Sequence, residues 1–327
     1  HLSQWDYGEE TTNAATITVK YYNFSDGAEV AAARETGLTI AANSTRIIRQ
    51  SANANLPTMW QGTCVVTGDQ PLAGICNFYN SGATEDTKSQ FNSYNAFTAG
   101  ATTLYIPRAS RNLADYQGAI SVMNVGASAA DVTIQYTFAG TTYTQNVTGL
   151  APFAGKSIYL ADVAALAGVS GTGSAKITST QPVVATVNED NRVGVTPAGH
   201  GGRSITYSGV ADGVQTTTMV FPQVTARLSG YNSGVQVQNV STSAANVTFT
   251  FSGGTQDYSA SYTLAAGESK SVFVPDVVTQ SNFNGPCVVT SDQPIVGIAN
   301  TSIWWGSGLG DTQKYGDSYL CYNGVNK

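Results

Sequence analysis

The stretch Thr67-Gly-Asp-Gln-Pro-Leu-Ala-Gly-Ile-Cys-Asn77 decides the fold, because the chain contains it three times. The second copy is Thr178-Ser-Thr-Gln-Pro-Val-Val-Ala-Thr-Val-Asn188, and the third is Thr290-Ser-Asp-Gln-Pro-Ile-Val-Gly-Ile-Ala-Asn300. Self-similarity at a fixed period indicates a row of repeated structural units. The sequence therefore predicts three units in tandem.

Each copy is interpreted as a hairpin centred on its Gln-Pro pair. Pro71, Pro182 and Pro294 would stand at the start of the returning strand, where the missing N–H does least harm.

Alternating strands surround these blocks. One begins after each of the pairs Ala14-Ala15, Ala129-Ala130 and Ala244-Ala245, and every second residue is β-branched or aromatic, which is typical of a half-buried strand. The predicted inward residues are Ile17, Val19, Tyr21, Val132, Ile134, Tyr136, Val247, Phe249 and Phe251.

Two further blocks complete each period. The stretch 150–162 matches 264–276 and, more loosely, 38–50, while 102–107 matches 217–222. About seven short strands per period fit an immunoglobulin-like sandwich. We therefore expect an all-β chain of three tandem immunoglobulin-like β-sandwich domains: 1–93, which lacks its first strand, 94–206, and 207–327 with a C-terminal tail.

Composition excludes two classes of partner. The net charge of the 327 residues is −6 and Lys and Arg form no cluster, which argues against nucleic-acid binding. The longest apolar stretch, around 158–169, is interrupted by Asp162 and is shorter than the roughly 20 residues that span a bilayer, so we expect no membrane span.

Four cysteines suggest an oxidising compartment. Cys64 and Cys76 lie symmetrically about the predicted turn, which predicts a cross-strand disulfide. Cys287 takes the place of Cys64 in the third repeat, but Ala299 takes that of Cys76, so Cys321 is its predicted partner. The alternative is four buried free thiols, as in a cytosolic protein.

We expect an extracellular or cell-surface location. Asn-x-Ser/Thr triplets are compatible with it as possible glycosylation sites, at Asn23, Asn43, Asn146, Asn239, Asn246 and Asn300.

The two ends of the chain look incomplete. The first repeat has no counterpart of the opening strand 102–107, and the tail 319–324 matches 94–100 and 207–213 but ends before such a strand can form. A sheet that lacks an edge strand invites strand addition. The hypothesis is a head-to-tail homopolymer in which the tail, or another segment, completes the first domain of the next molecule. The alternative is a trimmed fragment, or a first domain with one strand fewer.

Aromatic and apolar residues near the ends are the candidates for subunit contact. Trp304 and Trp305 are adjacent on a predicted strand, so one of them must face outward, where it could contact a subunit, pack between domains or stack on a sugar. Trp5 and Trp60 also suit a core. The interface candidates are Leu2, Trp5, Trp304, Trp305, Tyr319 and Tyr322.

Signals for catalysis are weak. His1 and His200 could form a copper-binding histidine brace only across repeat units, and the acid pairs Glu9-Glu10, Glu85-Asp86 and Glu189-Asp190 lie in predicted loops or strand ends, where solvated acids are the simpler interpretation. We expect no enzyme, cofactor or metal site.

The repeats resemble those of large secreted surface proteins of filamentous bacteria, through Asn-Val-Gly/Ser, Ala-Ala-x-Val-Thr, Leu-Ala-x-x-x-x-Lys-Ser and Val-Thr-Ser-Asp-Gln-Pro-Ile-Val-Gly. They are also similar to the tandem sandwich subunits of bacterial surface filaments, tubes and sheaths. The resemblance implies an extracellular structural subunit that self-assembles. A monomeric adhesin or a carbohydrate-binding protein that recognises surface glycans is the alternative, and an oxidative polysaccharide enzyme comes third.

Overall fold

The structure is a computed structural model, which describes residues 2–9, 13–79, 90–113, 116–191, 204–303 and 319–326. Strands dominate these residues and pack as β-sandwiches, so the all-β prediction is confirmed. The helices within these ranges are short: one α-helix, α1 (Val274–Val277), and 3-10 turns at Ala31–Ala33, Gln50–Ala52, Leu160–Asp162 and Ala164–Leu166.

Unit 1 covers residues 2–95 and has two sheets. One has the strand order β4-β1-β6-β7 and the other β3-β2-β5. The strands are β1 (Leu2–Glu9), β2 (Ala15–Asn23), β3 (Glu35–Ile40), β4 (Thr45–Arg49), β5 (Gly62–Gly68), β6 (Leu72–Tyr79) and β7 (Phe91–Asn95).

Unit 2 covers residues 101–211, and its strands form two layers joined by one long strand, β13. One layer has the order β11-β10-β13-β8-β15, and in the other β9 pairs with β12 and β13, and β13 with β14. The strands are β8 (Ala101–Arg111), β9 (Tyr116–Asn124), β10 (Ala130–Phe138), β11 (Thr141–Leu150), β12 (Gly155–Tyr159), β13 (Gly171–Asn191), β14 (Ser204–Ser208) and β15 (Val210–Ala211).

Unit 3 covers residues 216–326 and repeats this plan around the long strand β21. One layer has the order β19-β18-β21-β16-β23, and in the other β17 pairs with β20 and β21, and β21 with β22. The strands are β16 (Thr216–Ala226), β17 (Tyr231–Asn239), β18 (Ala245–Phe251), β19 (Tyr258–Leu264), β20 (Ser269–Phe273), β21 (Phe283–Ile303), β22 (Tyr319–Asn323) and β23 (Val325–Asn326).

The Gln-Pro blocks are crossings between layers, and the hairpin prediction was wrong. In β13 the residues before Thr180 pair with β8 and β10, and those from Val183 onward pair with β9 and β14, apart from one further pair between Val183 and Ala101 of β8. Pro182 stands between the two ladders, where the missing N–H leaves no ladder bond unmade. Unit 1 makes the same crossing between β5 and β6, which belong to different sheets.

The alternating strands face the cores as predicted. All nine predicted inward residues of β2, β10 and β18 are buried, and each unit has its own hydrophobic cluster. The expected boundaries at 94 and 207 fall inside β7 and β14. Units 2 and 3 have eight strands each, more than the seven expected, so the immunoglobulin-like assignment stays a prediction.

Candidate assembly site

Strand β5 lies at the edge of its sheet. Its counterparts are the first halves of β13 and β21, and each of those pairs on both sides, with β10 and β8 or with β18 and β16. Among the described residues β5 pairs only with β2. An edge strand presents a row of N–H and C=O groups that can receive another strand.

The side chains of β5 also lack the covering strand that their counterparts in units 2 and 3 have. Cys64 and Val66 are only half-buried, whereas their counterparts Ala175 and Ile177 in β13 are fully buried. The register explains the difference, because Ile106 and Leu104 of β8 lie opposite Ala175 and Ile177.

Unit 3 repeats the arrangement with larger side chains. Phe221 and Met219 of β16 lie opposite Cys287 and Val289 of β21, and all four are buried.

We call β5, with Cys64 and Val66, the acceptor edge. Two other apolar side chains near β5 are also only partly buried against the unit 1 core, Trp60 beside Gly62 and Leu72 beside Gly68.

A tyrosine hydroxyl holds each opening strand in place. The Tyr207 hydroxyl accepts from the N–H of Arg108 and donates to its carbonyl oxygen, and the Tyr322 hydroxyl donates to the carbonyl oxygen of Gln223. Strand register makes Tyr94 of β7 their counterpart in unit 1. There Tyr94 hydrogen-bonds the thiol of Cys76.

All four cysteines are free thiols in the structure, so the two predicted disulfides are not formed in it. Cys64 and Cys76 lie on opposite sheets of unit 1, and therefore do not face each other across a ladder as the hairpin argument required. Burial raises the pKa of Cys64, and the nearby Cys76 adds to that rise. Burial also raises the pKa of Cys76, to about 12. Cys76 thus lies within electrostatic range of Cys64, on the facing sheet.

The structure does not bring Cys287 and Cys321 together. Cys287 is buried in the core of unit 3, whereas Cys321 packs against the core of unit 2. Neighbouring residues of a strand point to opposite faces, and Tyr322 faces the unit 3 core. Cys321 must therefore face the other way, and the predicted pairing was wrong in its geometry.

The tail is folded onto its own molecule. Strand β22 pairs with β21, and β23 pairs with β16. The Tyr319 hydroxyl donates to Glu189 Oε1 at 3.1 Å, and its ring packs edge-on against Tyr116. Tyr319 is buried within its own chain, which corrects its prediction as a subunit contact, whereas Tyr322 is only half-buried and its role as a subunit contact stays a prediction. The described tail could be donated to a neighbour only after detaching.

A buried ion pair lies where unit 2 meets unit 3. Arg108 Nε and Nη2 donate to the two carboxylate oxygens of Glu189 at 2.9 and 2.7 Å, and Nη1 donates to Gln236 Oε1 at 3.4 Å. Burial alone would lower the pKa of Arg108, but the Glu189 carboxylate outweighs it and raises that pKa. Burial alone would raise the pKa of Glu189, but Arg108 outweighs it and lowers that pKa.

The prediction of Glu189 as a solvated acid was therefore wrong. No local pattern could have identified the pair, because Arg108 and Glu189 are 81 residues apart.

The predicted glycosylation sites differ in exposure. Asn43, Asn146 and Asn246 are exposed, and Asn23 and Asn300 are half-buried. Asn239 is fully buried, and its amide nitrogen donates to the carbonyls of Ser243, Leu264 and Ala265. The folded chain has no room for a glycan on Asn239, which corrects that candidate.

Other predictions fall outside the described residues. These are Trp304, Trp305, His1, His200, Glu10 and the Glu85-Asp86 pair, while Leu2, Trp5 and Glu9 are described only as backbone in β1. Within the described part of the chain, no group of three His, Cys, Asp or Glu side chains could hold a metal. No helix of that part is long and apolar enough to cross a bilayer.

Comparisons with known proteins give no family. No family model matches the chain, and no curated protein matches it. The chain is similar to the crystal structure of Thermotoga maritima 1070, at 17% identity and a TM-score of 0.29, over 35% of this chain and 96% of that one. It is also similar to vicilin from Corylus avellana (hazelnut), at 8% identity and a TM-score of 0.18, over 67% and 74%. At these TM-scores neither likeness carries an argument.

Proposed function

We propose that the chain is an extracellular structural subunit of three tandem immunoglobulin-like sandwiches that assembles head-to-tail into a filament, tube or surface layer. The acceptor edge is the observation that carries the proposal. It is one position in a repeated fold at which two units have a covering strand and the third has none among the described residues. The proposed occupant is a strand of a neighbouring copy.

The two covered units indicate what the occupant must provide. It pairs antiparallel with β5 and places two large apolar side chains, two residues apart, over Val66 and Cys64, as Leu104 and Ile106 do in unit 2. Full burial of such a side chain contributes about 1.5 to 3 kcal/mol, so two of them would contribute roughly 3 to 6 kcal/mol. Tyr94 would then hold the backbone of the added strand, as Tyr207 holds β8.

The surface supports an extracellular setting. Only 11% of the residues are charged, and three exposed sequons, at Asn43, Asn146 and Asn246, are available for glycans. The thiol of Cys76 lies close enough to Cys64 to add to the rise of its pKa, so oxidation outside the cell could join the two sheets of unit 1.

The test supplies the missing strand within the same chain. A variant carries a copy of residues 101–115 in front of His1, because β8 leads into β9 in unit 2 and β1 is the counterpart of β9. We expect this variant to stay monomeric at concentrations at which the unmodified chain forms polymers, as measured by sedimentation and negative-stain electron microscopy.

A matched control has the same extension with the copied Leu104 and Ile106 changed to Ser. It should still polymerise, because serine cannot fill the apolar gap. If both extended chains polymerise like the unmodified one, the acceptor edge plays no part. If the unmodified chain remains monomeric at every concentration, the proposed function is wrong.

A further inference from the structure

In units 2 and 3 an arginine side chain fastens the far end of the opening strand. Arg111 is the last residue of β8, and its Nη2 donates to the carbonyl oxygen of Ala161 at 3.2 Å. Arg227 directly follows β16, and its Nη2 donates to the carbonyl oxygen of Pro275 at 2.9 Å. Ala161 and Pro275 are equivalent, since each is the second residue after β12 or β20. The two guanidinium groups therefore bind the same carbonyl of the repeat.

The other Nη nitrogen of each arginine binds the chain that leads into the long strand. Arg111 Nη1 donates to the carbonyl oxygen of Val169, two residues before β13. Arg227 Nη1 donates to the carbonyl oxygen of Val278, between α1 and β21, at 2.8 Å. A guanidinium presents its donors in a rigid fork, so it can hold two carbonyls at once. Each arginine thus ties its opening strand to two points of one segment.

The second arginine of β8 does not belong to this pattern. Arg108 follows Pro107, and at the same place in unit 3 Gln223 follows Pro222. The carboxylate that pairs with Arg108 is that of Glu189. This acid is also peculiar to unit 2, as the repeated blocks that end at Asn77, Asn188 and Asn300 show: the next residue is a phenylalanine, this glutamate and a threonine in turn. Arg108 therefore has no equivalent partner in unit 1.

Unit 1 repeats the acceptor of the arginine fork. Strand β4 ends two residues before Ser51, so Ser51 takes the place of Ala161 and Pro275. It lies in the 3-10 turn Gln50–Ala52 and is exposed. The chain from this turn to β5 takes the place of the segment that supplies the second carbonyl. The backbone half of the contact is therefore present in unit 1.

No arginine among the described residues of unit 1 supplies the other half. Arg34 Nε donates to Glu29 Oε1 at 2.7 Å, and Arg46 Nη1 donates to the carbonyl oxygen of Thr39 at 3.2 Å. Arg49 belongs to β4 itself rather than to a strand beside β5. A guanidinium at Ser51 would have to come with the strand that covers the acceptor edge.

We infer that the strand that completes unit 1 carries an arginine five or six residues beyond its second apolar side chain, and that this guanidinium binds the carbonyl oxygen of Ser51. The spacing is five residues from Ile106 to Arg111 and six from Phe221 to Arg227. The occupant is an extended segment with two large apolar residues, two positions apart, followed by this arginine. The inference rests on the proposed function and identifies the partner of the acceptor edge by its chemistry.

The test measures the binding of synthetic peptides to the full chain at concentrations at which it is monomeric. The first peptide has the sequence of residues 101–115 and a fluorescent label, and fluorescence anisotropy reports its binding. We expect this peptide to bind the chain. The peptide with Arg111→Ala should bind roughly tenfold more weakly or worse, because it loses hydrogen bonds from a charged donor.

Two further peptides are the controls. Arg108→Ala removes the same charge from a position that has no carboxylate partner in unit 1, so this peptide should bind like the unchanged one. Arg111→Lys keeps the charge but loses the fork of donors, so it should bind nearly as weakly as Arg111→Ala.

The outcomes separate the inference from the proposed function. If the Arg111→Ala and Arg108→Ala peptides bind equally well, or if Arg111→Lys binds like the unchanged peptide, the arginine site at Ser51 is wrong while the acceptor edge and the proposed function stand. If the unchanged peptide does not bind at all, the acceptor edge is not open to a strand, and the inference and the observation that carries the proposed function are overturned together.

Discussion

Arg108 and Glu189 form a buried ion pair that links units 2 and 3 through Gln236 and Tyr319. Breaking one partner of such a pair leaves an uncompensated buried charge, which typically costs about 3 to 5 kcal/mol. We therefore expect Glu189→Gln to lower the free energy of unfolding by about that amount in urea titrations. Glu29→Gln removes a more exposed ion pair with Arg34 and should cost less than about 1 kcal/mol. Equal losses of unfolding free energy in the two variants would contradict the interpretation that burial makes the Arg108–Glu189 pair the more important one.

The same pair gives a pH dependence with a defined sign. Arg108 lowers the pKa of Glu189 in the folded chain, so the stabilisation is complete above the unfolded pKa, about 4.5, and is lost as the pH falls through the folded value. Unfolding of the wild type below pH 4.5 should show this loss, and Glu189→Gln should show less of it. Parallel curves for the two chains would exclude Glu189 as the responsible group.

The cysteines give a second prediction. In oxidised protein we expect a Cys64–Cys76 disulfide across the unit 1 sandwich, with Cys287 and Cys321 remaining thiols because they face different cores. Alkylation under native and denaturing conditions, followed by peptide mass spectrometry, distinguishes the four residues. A Cys287–Cys321 peptide would contradict the packing described above.

Sequence reasoning worked for single residues where a local pattern fixed the environment. The alternation of Ile17, Val19 and Tyr21 predicts their burial because side chains in a strand change face at each step. It failed for Cys321, whose environment depends on which unit its strand faces. The sequence predicts Tyr319 as a contact between molecules, whereas it contacts another unit of its own chain.

At the scale of elements, a crossing strand and a hairpin have the same sequence signature. Both need a break with turn residues between two apolar runs, and Asp69-Gln-Pro71 provides that break. Only the pairing partners distinguish them, and these lie far away: β5 pairs with β2, while β6 pairs with β1. The repeat indicated where strands are, but not which sheet each one joins.

The acceptor edge makes a prediction about backbone protection. Amides on the open side of β5 have no ladder partner among the described strands, whereas the equivalent half of β13 lies between β8 and β10. In the monomer we expect deuterium uptake at residues 62–68 to be faster than at 171–178. On polymerisation only the first segment should become protected. Unchanged uptake at 62–68 in polymers would show that no strand is added there.

At the scale of the whole molecule, the chain is a row of three units in which each leads directly into the opening strand of the next. Strand β7 of unit 1 is followed by β8 of unit 2, and β15 of unit 2 by β16 of unit 3. The period of the repeat predicts this order. The contacts between units could not be predicted, because Asn92 and Ile205 share a strand position at which they are buried but have no chemistry in common.

Pro286 sets unit 3 apart from the two units before it. Thr63 Oγ1 and Ser174 Oγ each donate to a carbonyl oxygen of the following unit, and Pro286, at the same place in unit 3, has no side-chain donor. Whatever packs against that face of unit 3 would be held without the hydrogen bond that fastens the joints inside the chain.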